Sequence, residues 1–361
     1  MNASQAQSTN GLQVVEFPHD GVKTYFINAE ASQDDMQECM SHVGTLAADW
    51  GATITLQILC GHDQPLPGAD GPDWPIIKLH GGRCTGNTFS GTQFFAHSGA
   101  GLHPVVDGSR KAGYWYETKD ARYCLLGDIR SDDRSLTAEA QAYAVFEKME
   151  KLLASAGMDF TDTVRTWFYL RDLLQWYEGF NGVRNRFFRD RGIFNKLVPA
   201  STGVGAGSPA GGAVVSALFA IRPKNDGVRV LAVPSPLQCP ALDYASAFSR
   251  AVEIQQSGSR LLILSGTASI APDGRTAHAG DTEKQIQLTM KIVREILNSR
   301  GMDWNHAARA IAYFKNISDA HLLEKYAMEN KLPNLPVTIA PADICREELL
   351  FEIELDAVRM D

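Results

Sequence analysis

Residues 152–172, LLASAGMDFTDTVRTWFYLRD, and residues 296–316, ILNSRGMDWNHAARAIAYFKN, align without a gap at a constant shift of 144. The shift carries Gly157 onto Gly301 and Tyr169 onto Tyr313, and upstream it carries Gln141 onto Gln285. One offset satisfied by several landmarks marks an internal repeat, which constrains the architecture before any single element is assigned. Ahead of each glycine the apolar residues recur at three-to-four spacing: Ala142, Val145, Met149, Leu152 and Leu153 in one copy, Ile286, Met290, Val293 and Leu297 in the other. This spacing predicts a helix with one buried face. Gly157 and Gly301 suit its end, because glycine enters the left-handed conformation without steric cost.

Outward from the helices, each copy opens on an apolar strand, RYCLLGDI (122–129) or RLLILSGTASI (260–270). After the glycine come a second strand, VRTWFYL or ARAIAYF, and a second helix, WYEGFNGVRNRFF or DAHLLEKYAME. A closing pair of strands follows, clearest in PVTIAPADI and LLFEIEL. The expected unit is α+β, a mixed sheet with helices on one face. The first hundred residues repeat the order of elements without the residue register. There TYFINAE reads as a strand, and Ser32-Gln33-Asp34-Asp35 reads as a capping box. It opens a helix bearing Met36, Cys39, Met40, Val43, Leu46 and Trp50, which Gly51 ends before the alternating strand ATITLQILCG. The predicted organisation is a flexible tail (1–19), a degraded module (20–110) and two full modules (111–226 and 227–361), forming a trimer-like ring within one chain.

Lys and Arg total 34 against 42 Asp and Glu, a formal charge of −8. That is the wrong sign for a broad phosphate-backbone surface, so no nucleic-acid partner is expected. No stretch approaches the roughly 20 apolar residues that span a bilayer, so no membrane partner is expected either. The polar start MNASQAQSTNG carries neither a basic patch nor an apolar run, and the six cysteines (Cys39, Cys60, Cys84, Cys124, Cys239, Cys345) are scattered without a CxxC pair. The expectation is a cytoplasmic chain with reduced thiols and no metal site. Its oligomeric state is open, monomer or homo-oligomer.

The third module resembles the RidA/YjgF superfamily in its Ser265-Gly266 strand and its closing Phe351-Glu352-Ile353-Glu354. Within that superfamily the chain resembles the chorismatases, which release pyruvate from chorismate. The likeness rests on RTWFYL with Tyr177 and Arg184, on PASTGVGA (199–206), on SGTASIAPDGRTAHAGD (265–281) and on ADICREELLFEIE (342–354). Superfamily members that act as imine deaminases carry a carboxylate-gripping arginine where this chain has Ser201 and Val337. Chorismatases usually carry Tyr-Gly-x-Arg between the last two modules, whereas here Tyr244 is followed by Ala245 and Ser246, with Arg250 able to reach the same space. The resemblance implies a cofactor-free enzyme and a small carboxylated substrate. It assigns Glu352 as the acid that protonates an enolpyruvyl ether, with 3-hydroxybenzoate favoured over a dihydroxy-cyclohexadiene acid as co-product. The alternatives are an imine or enamine hydrolase and a non-catalytic small-molecule binder.

Alternation sets Glu352 and Glu354 on one strand face and Leu349, Phe351, Ile353 and Leu355 on the other. Such a face is a solvated edge unless a neighbouring module covers it. If covered, desolvation raises the pKa of a carboxyl and fits it for general-acid work. Arg346 and Arg184 are the candidate carboxylate forks, although Arg184 also fits a solvated face of its arginine-rich helix. Tyr177 and Tyr244 are candidate substrate contacts, while Tyr313 reads as packing. Thr202 to Gly205 forms either an anion nest or a tight turn. His278 reads as a turn residue before the helix cap Asp281. Gly266 and Cys345 together resemble the 3-hydroxybenzoate-forming subtype, glycine by leaving room beside the substrate ring and cysteine either by assisting the chemistry or as a small buried hydrophobe.

Overall fold

The computed structural model describes residues 7–9, 11–29, 36–61, 72–80 and 91–361. The Ser32–Asp35 capping box, Cys84 and the first six residues lie outside them. The first sheet is built from β1 (Gln7–Thr9), β2 (Leu12–His19), β3 (Val22–Ala29), β4 (Thr53–Cys60), β5 (Ile76–Leu79) and β6 (Gly91–Ser98), with helix α1 (Met36–Asp49) between β3 and β4. The second contains β7 (His103–Asp107), β8 (Arg110–Glu117), β9 (Ala121–Arg130), β10 (Thr163–Leu170), β11 (Ala200–Val204) and β12 (Val214–Pro223), with α2 (Ala138–Ser155) and α3 (Leu173–Asp190). The third contains β13 (Arg229–Val233), β14 (Ala251–Gln256), β15 (Ser259–Ala268), β16 (Ala307–Phe314), β17 (Val337–Pro341) and β18 (Phe351–Met360), with α4 (Thr282–Ser299) and α5 (His321–Glu329).

The fold class is the expected one, three tandem α+β modules. Among the described residues each sheet has six strands in one spatial order, which in the third runs β13-β14-β15-β18-β16-β17. The predicted helix faces are buried: Val145, Met149 and Leu153 pack beneath α2, and Ile286, Met290 and Val293 beneath α4. Gly157 and Gly301 take φ of 67° and 68° where the helices end. A separate apolar cluster draws on all three sheets, including Leu56 and Ile58, Trp167 and Tyr169, and Ile311 and Tyr313. The modules therefore meet through the sheet faces that carry no helices.

Four expectations are corrected. Residues 12–19 are not a tail, because β2 pairs antiparallel along its length with β3 and buries Val15 and Phe17. The second sheet likewise begins at His103, ahead of the expected boundary at 111. The closing strands of the third module do not pair with each other: β16 lies between them, parallel to β17 and antiparallel to β18. Thr202 to Gly205 is neither nest nor turn, since β11 runs parallel to β10 and Gly205 exchanges backbone hydrogen bonds with Asp343. The extended backbone of a strand cannot curl its successive amides around an anion.

Candidate active site

A cavity of about 610 Å³ opens between the second and third modules, within the size range of small-ligand sites. Helix α3 supplies Tyr177, Asn181 and Arg184, and β11 supplies Ser201 and Gly203. The segment before β14 supplies Tyr244, Ser246, Phe248 and Arg250. The floor comes from Gly266 of β15, Glu352 of β18, and Cys345 and Arg346 just ahead of β18. Thus a neighbouring module covers the glutamate face of β18, and both glutamates are buried.

Burial acts on the two carboxyls alike, and their neighbours separate them. Desolvation, reinforced by the negative charge of Glu354, pushes the Glu352 carboxyl up to about 8. Burial also works to raise Glu354, but Arg309 and Arg165 outweigh it and hold that carboxyl below its ordinary value. Glu354 receives hydrogen bonds from Arg165 Nη2 (2.9 Å), Trp167 Nε1 (2.8 Å), Tyr313 Oη (3.3 Å) and Arg309 Nη2. Glu352 at neutral pH is chiefly a neutral acid facing the cavity, and Glu354 is a fixed anion behind it. Two carboxyls pushed apart in this way are the usual basis for assigning an acid.

Arg184 is buried rather than solvated, with Nη2 on Asn181 Oδ1 (2.6 Å) and Nε without a partner. Its guanidinium lies over the Phe180 ring, so of the two readings of this arginine the solvated face is the one that fails. Arg250 donates from Nε and Nη2 to Cys239 O and stacks on the Tyr244 and Phe248 rings. Arg346 holds Thr276 Oγ1 at 3.2 Å. Among the described residues none of the three forms a salt bridge, although Glu178 as well as Glu352 lines the cavity they share. Burial lowers the proton affinity of Arg184 and raises the Tyr177 and Tyr244 hydroxyls. The Cys345 thiol is pushed up to about 12 by burial, with Glu352 adding to it, so it stays protonated.

Thr202 does not line the cavity. Its Oγ1 instead accepts from Arg165 Nη2 (2.6 Å) and from Gly266 N (3.1 Å). Tyr313 is buried as expected but also donates to Glu354. His278 takes φ of 57° and its carbonyl accepts from Gln285 Nε2, which leaves it a turn residue. At Gly266 an added Cβ would lie 2.0 Å from Glu352 Oε1. The space that this glycine leaves is occupied by the acid itself, a correction to the expectation that it makes room for the substrate. Sequence reasoning missed Arg165 and Arg309. A signal existed, since they are 144 residues apart at the same repeat position in otherwise apolar strands.

No protein-family model matches the chain. A 3-hydroxybenzoate synthase of Streptomyces hygroscopicus is 25% identical over 269 residues, 67% of this chain and 75% of that protein. A chorismatase of Streptomyces rapamycinicus is 26% identical over 285 residues, 72% of this chain and 81% of that protein. A crystal structure of a chorismatase superposes with a TM-score of 0.64 at 19% identity, covering 84% of this chain and 93% of that one. On sequence and fold together, the chain is a chorismatase-like protein.

Proposed function

We propose that this protein cleaves the enolpyruvyl ether of chorismate, releasing pyruvate and a hydroxybenzoate, with 3-hydroxybenzoate favoured over the dihydroxy-cyclohexadiene acid. The observation that carries this reading is a neutral, buried Glu352 in one cavity with Arg184, Arg250 and Arg346, none of them in a salt bridge among the described residues. A dicarboxylate supplies the charge those arginines lack, and an enol ether needs the proton that Glu352 holds. The names of the two Streptomyces relatives point the same way. Ser201 and Val337, where an imine deaminase has its arginine, weigh against hydrolysis of an imine.

In this reading the Glu352 proton goes to the ether's methylene carbon, which becomes a methyl group. The ring C–O bond then breaks and pyruvate leaves. On the 3-hydroxybenzoate route a ring hydroxyl takes the vacated position. No water is consumed, and the proton lost as the ring becomes aromatic balances the one Glu352 gave. On the dihydroxy route one water is consumed instead. Assaying pyruvate after incubation with chorismate tests the reading. Glu352→Gln is expected to lower kcat by roughly 10²–10⁴-fold with KM little changed, because the amide keeps the shape and cannot give the proton. Wild-type turnover in that variant removes Glu352 from the mechanism.

A further inference from the structure

Glu354 is too enclosed to meet a substrate, yet it collects four donors from β10 and β16, strands of two different modules. Arg165 is shared, because the Nη2 that holds Glu354 Oε2 also donates to Thr202 Oγ1. Thr202 in turn accepts from the backbone N–H of Gly266, the residue against which the Glu352 carboxyl rests. Arg309 fixes the other side through Asp356 Oδ2 (2.9 Å) and Gln93 Oε1 (2.8 Å). An anion this firmly held cannot swing away, and it stands two residues along the same strand face from Glu352.

We propose that Glu354 is a positioning residue for the acid: pinned as an anion by Arg165 and Arg309, it keeps a negative charge behind Glu352 and so holds that carboxyl protonated through the neutral range. The inference rests on the reading of Glu352 as the proton donor. The groups that face Glu352 fit it. Arg165 from β10 and Arg250 from the segment before β14 favour ionisation; Tyr177 and Arg184 of α3, Tyr244, and Cys345 and Arg346 complete the surround. Glu178 of α3 also lines the cavity, but the acidic group that raises Glu352 is Glu354, and its effect exceeds that of Arg165.

The test reads the carboxyl directly. In an infrared titration of the purified protein, the C=O band of a protonated carboxyl that disappears in Glu352→Gln reports Glu352. In the wild type it should titrate near 8. In Glu354→Gln it should titrate about one to two pH units lower, the Coulomb effect of a unit charge ~7 Å away at an effective dielectric of about 20. Glu354→Asp, which keeps the charge, should restore most of the difference, and the basic limb of pyruvate release should move in parallel. A role limited to packing lowers the rate evenly across pH and leaves the band in place. An unmoved band in Glu354→Gln overturns the proposal. If that variant fails to fold, the double change Arg165→Met with Glu354→Gln removes the unpaired cation as well. The band should still move to lower pH, since the stronger of the two opposing charges is the one from Glu354, and an unmoved band there also overturns the proposal. A shifted band in a protein that releases no pyruvate from chorismate leaves the positioning role standing and sinks the substrate.

Discussion

Glu352 and Glu354 share a strand face and nearly complete burial, so burial cannot be what makes one an acid and the other an anion. The difference is the company of guanidinium groups, two of which bind Glu354 directly while, among the described residues, none does so for Glu352. Gly266 belongs to the same arrangement. Gly266→Ala places a methyl group 2.0 Å from Glu352 Oε1, so the carboxyl must turn away from its position. A displacement of about 1 Å at a reacting group costs on the order of 10²-fold in rate, and we expect that loss in pyruvate release with a melting temperature only slightly lowered. An unchanged rate would show that the carboxyl has a second productive position. Cys345, held as a thiol, contributes shape rather than a thiolate. Cys345→Ala is therefore expected to keep pyruvate release while the ratio of hydroxybenzoate to dihydroxy acid, read by chromatography, falls. Complete loss of pyruvate release in Cys345→Ala would restore a chemical role.

At the scale of elements, the strand that carries the acid is aimed by a glutamine the repeat already marks. Gln285 is fully buried on α4, where its Nε2 donates to His278 O (3.1 Å) and Glu348 O (2.8 Å) and its Oε1 accepts from Leu350 N (2.8 Å). Gln141 does the same on α2, with Arg134 O, Leu136 O and Ala213 N as partners. One side chain thus ties the start of a helix to the chain just before β12 or β18. Gln285→Ala removes three part-buried side-chain to backbone hydrogen bonds, an expected loss of about 1–3 kcal/mol, and a thermal melt should show it. It should also lower kcat, because Leu350 sets the register in which Glu352 enters the sheet; a melt unchanged from the wild type would remove this role. The helices were legible because burial along them follows the helical period, as with Ile286, Met290 and Val293, and the central strands because, buried on both faces, they read as short apolar runs. Strand neighbours were not legible. The run from Pro341 to Phe351 looks like a hairpin connection, but it crosses over β16, and nothing local to it records that β16 supplies a partner to both sides. The buried arginines were hidden for a related reason. Arg165 in RTWFYL has the same local sequence whether its partner is water or a carboxylate from another module.

For the whole molecule, three similar sheets around one core make three comparable junctions, and the pairing registers show which positions correspond. Glu352 sits opposite Tyr313 in the third sheet, Val215 opposite Tyr169 in the second, and Gly91 opposite Cys60 in the first. The acid therefore has no counterpart in the other two sheets. At Gly91 there is also no space for one, since a Cβ there would lie 2.8 Å from Ala29 O and 3.4 Å from Thr338 Cγ2. The arginine pattern is equally uneven: Arg165 and Arg309 correspond by the repeat, but the first sheet has Leu56 at the matching place beside its own bulge. Fusing three modules into one chain frees each junction to diverge, which a trimer of identical chains cannot do, because there any substitution appears three times. One junction here carries Glu352 with Arg184, Arg250 and Arg346 around it, and the corresponding positions of the other two carry Val215 and Gly91. The expected consequence is a stoichiometry of one substrate per chain. Calorimetric titration of chorismate into Glu352→Gln, which binds without turnover in the proposed mechanism, should saturate at one equivalent. Saturation at three would mean that the junctions at Val215 and Gly91 also bind, and that binding in this fold does not depend on the arginines gathered around Glu352.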